Sequence, residues 1–298
     1  MAGVTVSAVV PTLGCSPWLI PCLEALRREG AEVIVVDQGE TAVELPAGLA
    51  DRVLRPGRNL GFAGGTNLGI AAASAALIAT VNDDALVEPG WVAALTAALD
   101  ADPRVAAVQG VTFQMDHPER ADGCGLAWNR WWQAVQIGHG RPAPAATEPS
   151  REIFGVSATV ALFRRAALEA VAVDGNVFDP RLVSYYEDVE LAVRLREAGW
   201  RALLVPAARA RHAGSATGET MSRERWRLIY GNRWLAAARL LGRGFWPHVP
   251  WMFLRDLVDL AHAAGSGEGA RAGGIAAGWA RAARRLPGFV HARAPLVR

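Results

Sequence analysis

Two acidic segments, one histidine and a glycine-rich stretch carry the residue types that do chemistry along this 298-residue chain. Asn82-Asp83-Asp84 follows the apolar run 75–81 and precedes a helix-start signal at Glu88-Pro89. Oxygen ligands at this spacing suit a hard divalent cation, which would neutralise charge on a leaving diphosphate. The same residues serve equally well as strand-end turn and helix caps. Tyr185-Tyr186-Glu187-Asp188 opens a second helix. Carboxylates in a first turn are favoured by the helix dipole, which is the plainer reading. One of them beside a substrate hydroxyl would act as a general base, and the two tyrosines read as a pocket wall. His212 ends a strand ahead of Ala213-Gly214-Ser215. It is either a hydrogen-bonded structural residue or a neutral imidazole completing a metal site. The glycine-rich stretch RNLGFAGGTNLG (58–69) matches neither GxGxxG nor a Walker loop. Its Asn59, Gly61 and Asn67 either shape tight turns or touch a nucleotide.

These groups need a scaffold, and the apolar pattern supplies one. The run 4–10, VTVSAVV, reads as a strand buried on both faces and ends at Pro11-Thr12. Ser16-Pro17 supplies an N-cap and first-turn proline for a helix closed by Gly30. A strand at 32–37 ends on Asp37, and a weaker one lies near 52–55. A short helix in the glycine-rich region, the strand into Asn82, a helix to about Leu99 and a strand at 105–109 continue the rhythm. Strand alternating with helix predicts an α/β fold with a mostly parallel sheet flanked by helices. Ligands in such folds sit beyond the carboxyl ends of the strands, where Asp37 and 82–84 lie.

Residues 110–150 are less regular. They carry Trp128, Trp131 and Trp132 and the Pro/Ala-rich piece 141–150, which reads as a loop. Regularity returns with a strand at 155–163, a short helix from Arg164, a turn at Asp179-Pro180, a helix over 187–198 and a strand at 201–206. The chain thus divides into an α/β domain, 1–218, and a helical, Arg/Trp-rich extension, 219–298.

With 51% hydrophobic residues the chain can bury a large core, and a net charge of +2 argues against a nucleic-acid binder. Cys15, Cys22 and Cys124 lack CxxC spacing and read as reduced thiols. With no signal-peptide pattern and no apolar run near the ~20 residues of a membrane span, a cytoplasmic location is expected.

Taken in order, VVPTLG, VIVVDQG, RNLGFAGGTNLG, VNDDALVEPGW, GVSATVALFRR, FDPRLVSYYEDVELAVRLREAGW and VPAARARHAGS resemble the inverting glycosyltransferases of family 2, across about 4–215. The resemblance implies a GT-A fold and a nucleotide-diphospho-sugar donor. Pro11, Thr12 and Asp37 would line the nucleotide pocket, with Asp37 accepting from the base. Asn82 and Asp83 would contact the donor and Asp84 would ligate Mn²⁺ or Mg²⁺, because Asn82 replaces the first aspartate of the DxD-type motif, as in the rhamnosyltransferase-like branch. Asp188, beside Glu187, would be the catalytic base, and His212 would approach metal and diphosphate. The implied reaction moves rhamnose from a dTDP donor, or a hexose from UDP, to a saccharide or lipid-linked hydroxyl in cell-envelope polysaccharide synthesis.

Trp128, Trp131, Trp132 and Tyr186 lie where this fold builds its acceptor side, as sugar platforms or as a small core under a long loop. The extension's cationic, aromatic helices suit either a peripheral membrane contact or packing on the catalytic domain or a second subunit, making a homodimer. A nucleotidyltransferase is disfavoured because PTLGCSPW offers no Lys or Arg in a phosphate loop. A non-catalytic nucleotide-sugar-binding module would leave Asp84, Asp188 and His212 without purpose.

Overall fold

The computed structural model describes residues 6–214 and 221–290. The expected boundary at 218/219, the first two residues of the expected strand (Val4 and Thr5) and Ser215 lie outside them. In chain order come β1 (Val6–Thr12), α1 (Leu19–Arg28), β2 (Glu32–Asp37), β3 (Arg52–Leu54), α2 (Gly61–Ala72), β4 (Leu77–Val81) and β5 (Ala85–Val87). Then follow α3 (Trp91–Ala101), β6 (Val105–Gln114), β7 (Ala121–Gly123), β8 (Leu126–Trp128), β9 (Ala134–Gln136), β10 (Arg151–Ile153), β11 (Val160–Arg164) and α4 (Arg165–Ala170). The last elements of the sheet domain are α5 (Glu187–Glu197) and β12 (Arg201–His212). After these lie α6 (Arg223–Leu241), a 3-10 segment (Gly242–His248), α7 (Val249–Gly265) and α8 (Gly269–Arg285).

Among the described residues one sheet runs β10-β12-β6-β11-β4-β1-β2-β3, with β5 on β12 and β7 on β6. Pairs β4-β1, β1-β2, β2-β3 and β12-β6 are parallel, and β11 inserts antiparallel between β4 and β6. Side chains alternate across each strand, so Val6, Ala8 and Val10 of β1 pack with Leu23, Leu26, Leu95 and Leu99 of α1 and α3. Val9 points into the other layer, with Ile70, Phe178, Leu191 and Leu195. A strand buried on both faces has no polar alternation, which is why β1, β2 and β4 read as continuous apolar runs.

Three expectations are corrected. Ser16 does not cap α1, which starts at Leu19 with no side-chain cap. The Ser16 hydroxyl instead accepts from Trp18 N and donates to the Asp83 carbonyl, both at 3.2 Å. The expected strand 155–163 begins only at Val160, because 157–159 cross the end of the sheet. β6 and β12 both run past their expected ends, to Gln114 and His212. Their pairing is interrupted between Leu204 and Arg209, where Pro206 has no N–H to give.

The helical extension packs on the sheet domain around Trp234, Leu235, Leu241, Phe245, Met252 and Phe289, and Leu182 of the sheet domain belongs to that same cluster. α7 is inside out. Asp256 and Asp259 are buried, with Asp256 accepting from Trp234 Nε1 (2.8 Å) and Trp279 Nε1 (2.9 Å) and Asp259 paired to Arg255 (2.9 Å). Trp251, Phe253, Leu254, Leu257 and Val258 face outward, 39–54% exposed. Among the described residues no helix is long and apolar enough to cross a membrane.

Candidate active site

The antiparallel placement of β11 and β5 decides what meets at the end of the sheet. Val160 pairs with Val81, so the residues before β11 lie beyond the carboxyl end of β4, beside Asn82. His212 pairs with Ala85, which sets the end of β12 beside Asp84. His212 Nε2 lies 3.2 Å from Asp84 Oδ1, and Nδ1 lies 2.9 Å from Asp122 Oδ2. Burial works against a charged ring, but the hydrogen bonds to Asp122 and Asp84 outweigh it and hold the His212 pKa at about 9. Asp83 accepts from the Thr12 hydroxyl at 2.5 Å. Burial, with the nearby Asp84 charge, raises the Asp83 carboxyl against that hydrogen bond.

Asp188 stands across a three-residue bridge from this group. Ala158 N donates to Asp188 Oδ2 (3.2 Å), the Ala158 carbonyl accepts from Thr80 Oγ1 (2.8 Å), and Asn82 N donates to the Thr159 carbonyl (2.8 Å). Asp188 Oδ1 accepts from Val189 N (2.8 Å) at the start of α5. Burial raises its pKa, opposed by the hydrogen bonds from Ala158, Val189 and Ser157, so it is a stronger base than an exposed aspartate. Glu187 is 7% exposed with Oε2 unpartnered, and burial next to the Asp188 charge raises its carboxyl well above the usual range.

The backbone presenting these acids is left-handed at three residues, Val183, Tyr185 and Tyr186, with φ of 68°, 69° and 68°. Such angles are costly for side-chain-bearing residues, most of all β-branched ones. The start of α2 holds part of the turn: Ala63 N donates to the Val183 carbonyl (2.9 Å) and Phe62 N to Ser184 Oγ (3.0 Å). Gly61, itself at φ 72°, is required here, since a Cβ would lie 2.6 Å from the Val183 carbonyl oxygen.

The remaining nucleotide-pocket candidates divide. Pro11 and Thr12 pair with Val36 and Asp37 at the ends of β1 and β2. The Asp37 side chain is fully buried, accepting from Gly39 N and Val43 N and paired with Arg55, all at 3.0 Å. A base reaching it would displace one of those donors. Asn59 turns its carbonyl to Gly61 N (2.8 Å). Asn67 accepts from Phe178 N (2.9 Å) and donates to the Phe178 carbonyl (2.7 Å), which ties α2 to the 176–178 segment. Both side chains thus shape the local backbone.

Of the residues expected to meet the acceptor, Trp128 lies 6.4 Å from both Tyr186 and Trp132 and 6.3 Å from Phe154, ring centre to ring centre. Trp131 stacks on Trp251 of α7 at 4.2 Å, and Trp132 sets its edge on His248 at 4.9 Å. The tryptophans therefore join the sheet domain to the helical extension.

The sequence profile of glycosyl transferase family 2 matches residues 7–172, more than half of the chain. The chain belongs to glycosyl transferase family 2. Uncharacterized proteins of Mycobacterium tuberculosis and Mycobacterium bovis are 28% identical to this glycosyltransferase over 225 residues, 73% of this chain and 77% of theirs. GalNAc-T7, solved with UDP, GalNAc and Mn²⁺, superposes with a TM-score of 0.59 at 16% identity over 78% of this chain and 51% of that one. Residues 1–349 of S. aureus TarS, solved with UDP, give 0.50 at 14% identity over 78% of this chain and 65% of that one. The glycosyltransferase thus spans about half the length of the GalNAc-T7 chain, and at these identities the likeness is one of fold. That fold is GT-A.

The polar groups of this glycosyltransferase fit a divalent cation at Asp84, which would displace the proton that His212 otherwise holds there. Two cis ligands at ~2.1 Å from a metal lie about 3 Å apart, and Asp84 Oδ1 and His212 Nε2 are 3.2 Å apart. Asp122 on the far nitrogen fixes the ring, as outer carboxylates do for metal-bound histidines. Among the described residues no cluster of three or more His, Cys, Asp or Glu side chains is set to hold a metal, so other ligands would come from substrate or water. Sequence reasoning missed Asp122, Gln109 and the 157–159 bridge. Asp122 sits in a three-residue strand with no periodic signal, and Gln109, which accepts from Ser157 N (2.7 Å), looks like any strand residue.

One consequence concerns stability. A carboxyl whose pKa is higher folded than unfolded holds its proton more tightly in the native state. Stability therefore falls as pH rises from the unfolded value, ~4.3, toward the folded one. Glu187→Gln removes that loss, so its melting temperature should gain on wild type as pH rises above about 4.3. A pH-independent difference in thermal melts would contradict the raised Glu187 pKa.

Proposed function

We propose that this enzyme is a metal-dependent, inverting transferase that moves a sugar from a nucleotide-diphospho-sugar to a hydroxyl of a saccharide or lipid-linked acceptor in cell-envelope polysaccharide synthesis. The observation that carries it is the bridge 157–159, which ties Asp188 to the same strand ends as Asn82, Asp84 and His212. Asp188 accepts the proton of the acceptor hydroxyl as its oxygen attacks the anomeric carbon. The bond to the diphosphate breaks on the opposite face, and its electron pair leaves with the nucleotide, so one inversion results. A divalent cation held by Asp84 and His212 would neutralise charge on that leaving group. Asp122 keeps Nε2 of His212 toward Asp84 throughout. Burial and the Asp188 charge raise the Glu187 carboxyl, which favours Asp188 as the charged member and hence the base of the pair.

UDP in the GalNAc-T7 and TarS structures and Mn²⁺ in the former favour a UDP-hexose and manganese, with dTDP-rhamnose as the other donor. A thermal-shift panel of UDP-glucose, UDP-galactose, UDP-N-acetylglucosamine and dTDP-rhamnose, with and without Mn²⁺, tests this. A ligand present at 100 times its Kd stabilises the native state by ~2.7 kcal/mol. The right donor raises the melting temperature only with metal. A panel with no metal-dependent shift would end this reading.

The outer face of α7 supports peripheral attachment at the inner surface of the membrane. Its exposed apolar side chains continue through the Trp251–Trp131 stack to the acceptor side, and exposed Arg130 lies 5.1 Å over the Trp131 ring. Arg243 is also exposed in the segment leading to α7, and a two-fold copy would set these charges against each other. Anionic lipid complements them instead. Burying five half-exposed apolar side chains is worth roughly 1 kcal/mol each. Leu254→Glu with Val258→Glu should weaken sedimentation with phosphatidylglycerol vesicles roughly tenfold or more. Unchanged sedimentation, or dimerisation through α7 in its place, would refute the attachment.

A further inference from the structure

The left-handed turn 182–186 is an expensive conformation, and α2 holds only one side of it. The other side is held by the helical extension. Asn232 of α6 is fully buried, and its amide nitrogen lies 2.7 Å from the Leu182 carbonyl, 2.9 Å from that of Ser184 and 2.8 Å from that of Tyr185. An amide has two hydrogens, so one is shared between two of these oxygens. The amide oxygen accepts from Arg281 Nε of α8 at 3.1 Å, which fixes which way the amide faces. Arg281 Nη2 donates to the Arg181 carbonyl at 2.6 Å, and Arg285 Nη1 reaches the same oxygen at 2.7 Å. Burial lowers the Arg281 pKa to about 10, which still leaves it charged near neutral pH.

The packing around this group is built for close approach. α8 meets α6 through Gly278, where a Cβ would sit 2.9 Å from Gly231 N, one residue before Asn232. Further along α6, Arg239 Nε stands 3.6 Å from Glu190 and 3.7 Å from Glu197, so α6 also grips the body of α5. Four carbonyls in the stretch 181–185 are thus satisfied by three side chains, Asn232, Arg281 and Arg285, from helices far away in sequence. A turn with three left-handed, side-chain-bearing residues persists only where its surroundings over-determine it.

We infer that Asn232, oriented by Arg281, is a positioning residue for catalysis: it holds the turn 182–186 so that Asp188 faces the acceptor hydroxyl. This rests on Asp188 being the base. Neither residue touches substrate, and both act through the backbone leading into α5. A misplacement near 1 Å at a reacting group can cost about 10²-fold in rate.

The test measures nucleoside-diphosphate release from whichever sugar nucleotide of the panel above shifts the melting temperature, together with its Kd and amide hydrogen exchange. Asn232→Ala should slow release by about 10²-fold, leave donor Kd within about threefold, and speed exchange at 182–186 while β1 and β4 stay protected. Arg281→Gln should do the same to a smaller degree, and it carries these readouts if Asn232→Ala does not fold. Release within about threefold of wild type in a folded variant overturns the inference. So does a loss that tracks faster exchange throughout the sheet, which marks general destabilisation. Asp188→Asn run alongside separates the two claims. If it keeps its rate, the base assignment falls. If it is inactive while Asn232→Ala is not, only the positioning role falls.

Discussion

Asp188→Asn should slow sugar transfer by about 10²–10⁴-fold, the usual contribution of a general base, while leaving donor affinity nearly unchanged. The amide keeps the shape but has one acceptor oxygen where the carboxylate uses two, so it can still accept from Val189 N or Ala158 N but not from both. It cannot take a proton. Burial raises the native Asp188 pKa, so the wild-type rate should climb with pH through a midpoint above that of an exposed aspartate. The variant should lose that limb of the profile. Comparing the pH dependence of kcat with donor Kd by calorimetry decides the matter. Retention of the limb in Asp188→Asn would assign the proton acceptor elsewhere, with Glu187 the first place to look.

Asp84→Ala should abolish the metal-dependent part of donor binding and lower turnover by at least about 10²-fold, as expected if several kcal/mol of leaving-group stabilisation are lost. The side chain is one-fifth exposed and its close polar contact is His212, so its removal leaves the sheet intact. The readout is the donor-induced melting shift with and without Mn²⁺. Wild type gains with metal and the variant does not. A full metal-dependent shift in Asp84→Ala would move the cation site away from the end of β4. Loss of His212 should weaken the shift less than loss of Asp84, because a carboxylate is the better partner for a hard ion.

The sheet was legible because its central strands are buried on both faces and therefore apolar without interruption. β1, β2 and β4 fall where the runs 4–10, 32–37 and 75–81 predict, within the described residues. Asp84, Asp188 and His212 stood out because each is a polar residue at the end of an apolar or helical segment. What stayed hidden depends on pairing direction. β11 is antiparallel, so 157–159 cross the end of β4, and no one-dimensional pattern reports that. Asp122 was masked by the irregular 110–150 region, where β7, β8 and β9 each have only three residues. Asn232 lies in a helix whose apolar residues surround it, so periodicity marks it only as a core position.

Leu182, three residues before Tyr185, the second left-handed residue of the turn, is packed into the hydrophobic cluster of the helical extension rather than that of the sheet. The turn that leads into Asp188 is therefore co-owned by both halves of the chain. In a chimera joining this sheet to the helices of a relative, the foreign helices would bring their own fit to the turn along with their outer surface. Acceptor preference and catalytic speed would be inherited as one trait, not two.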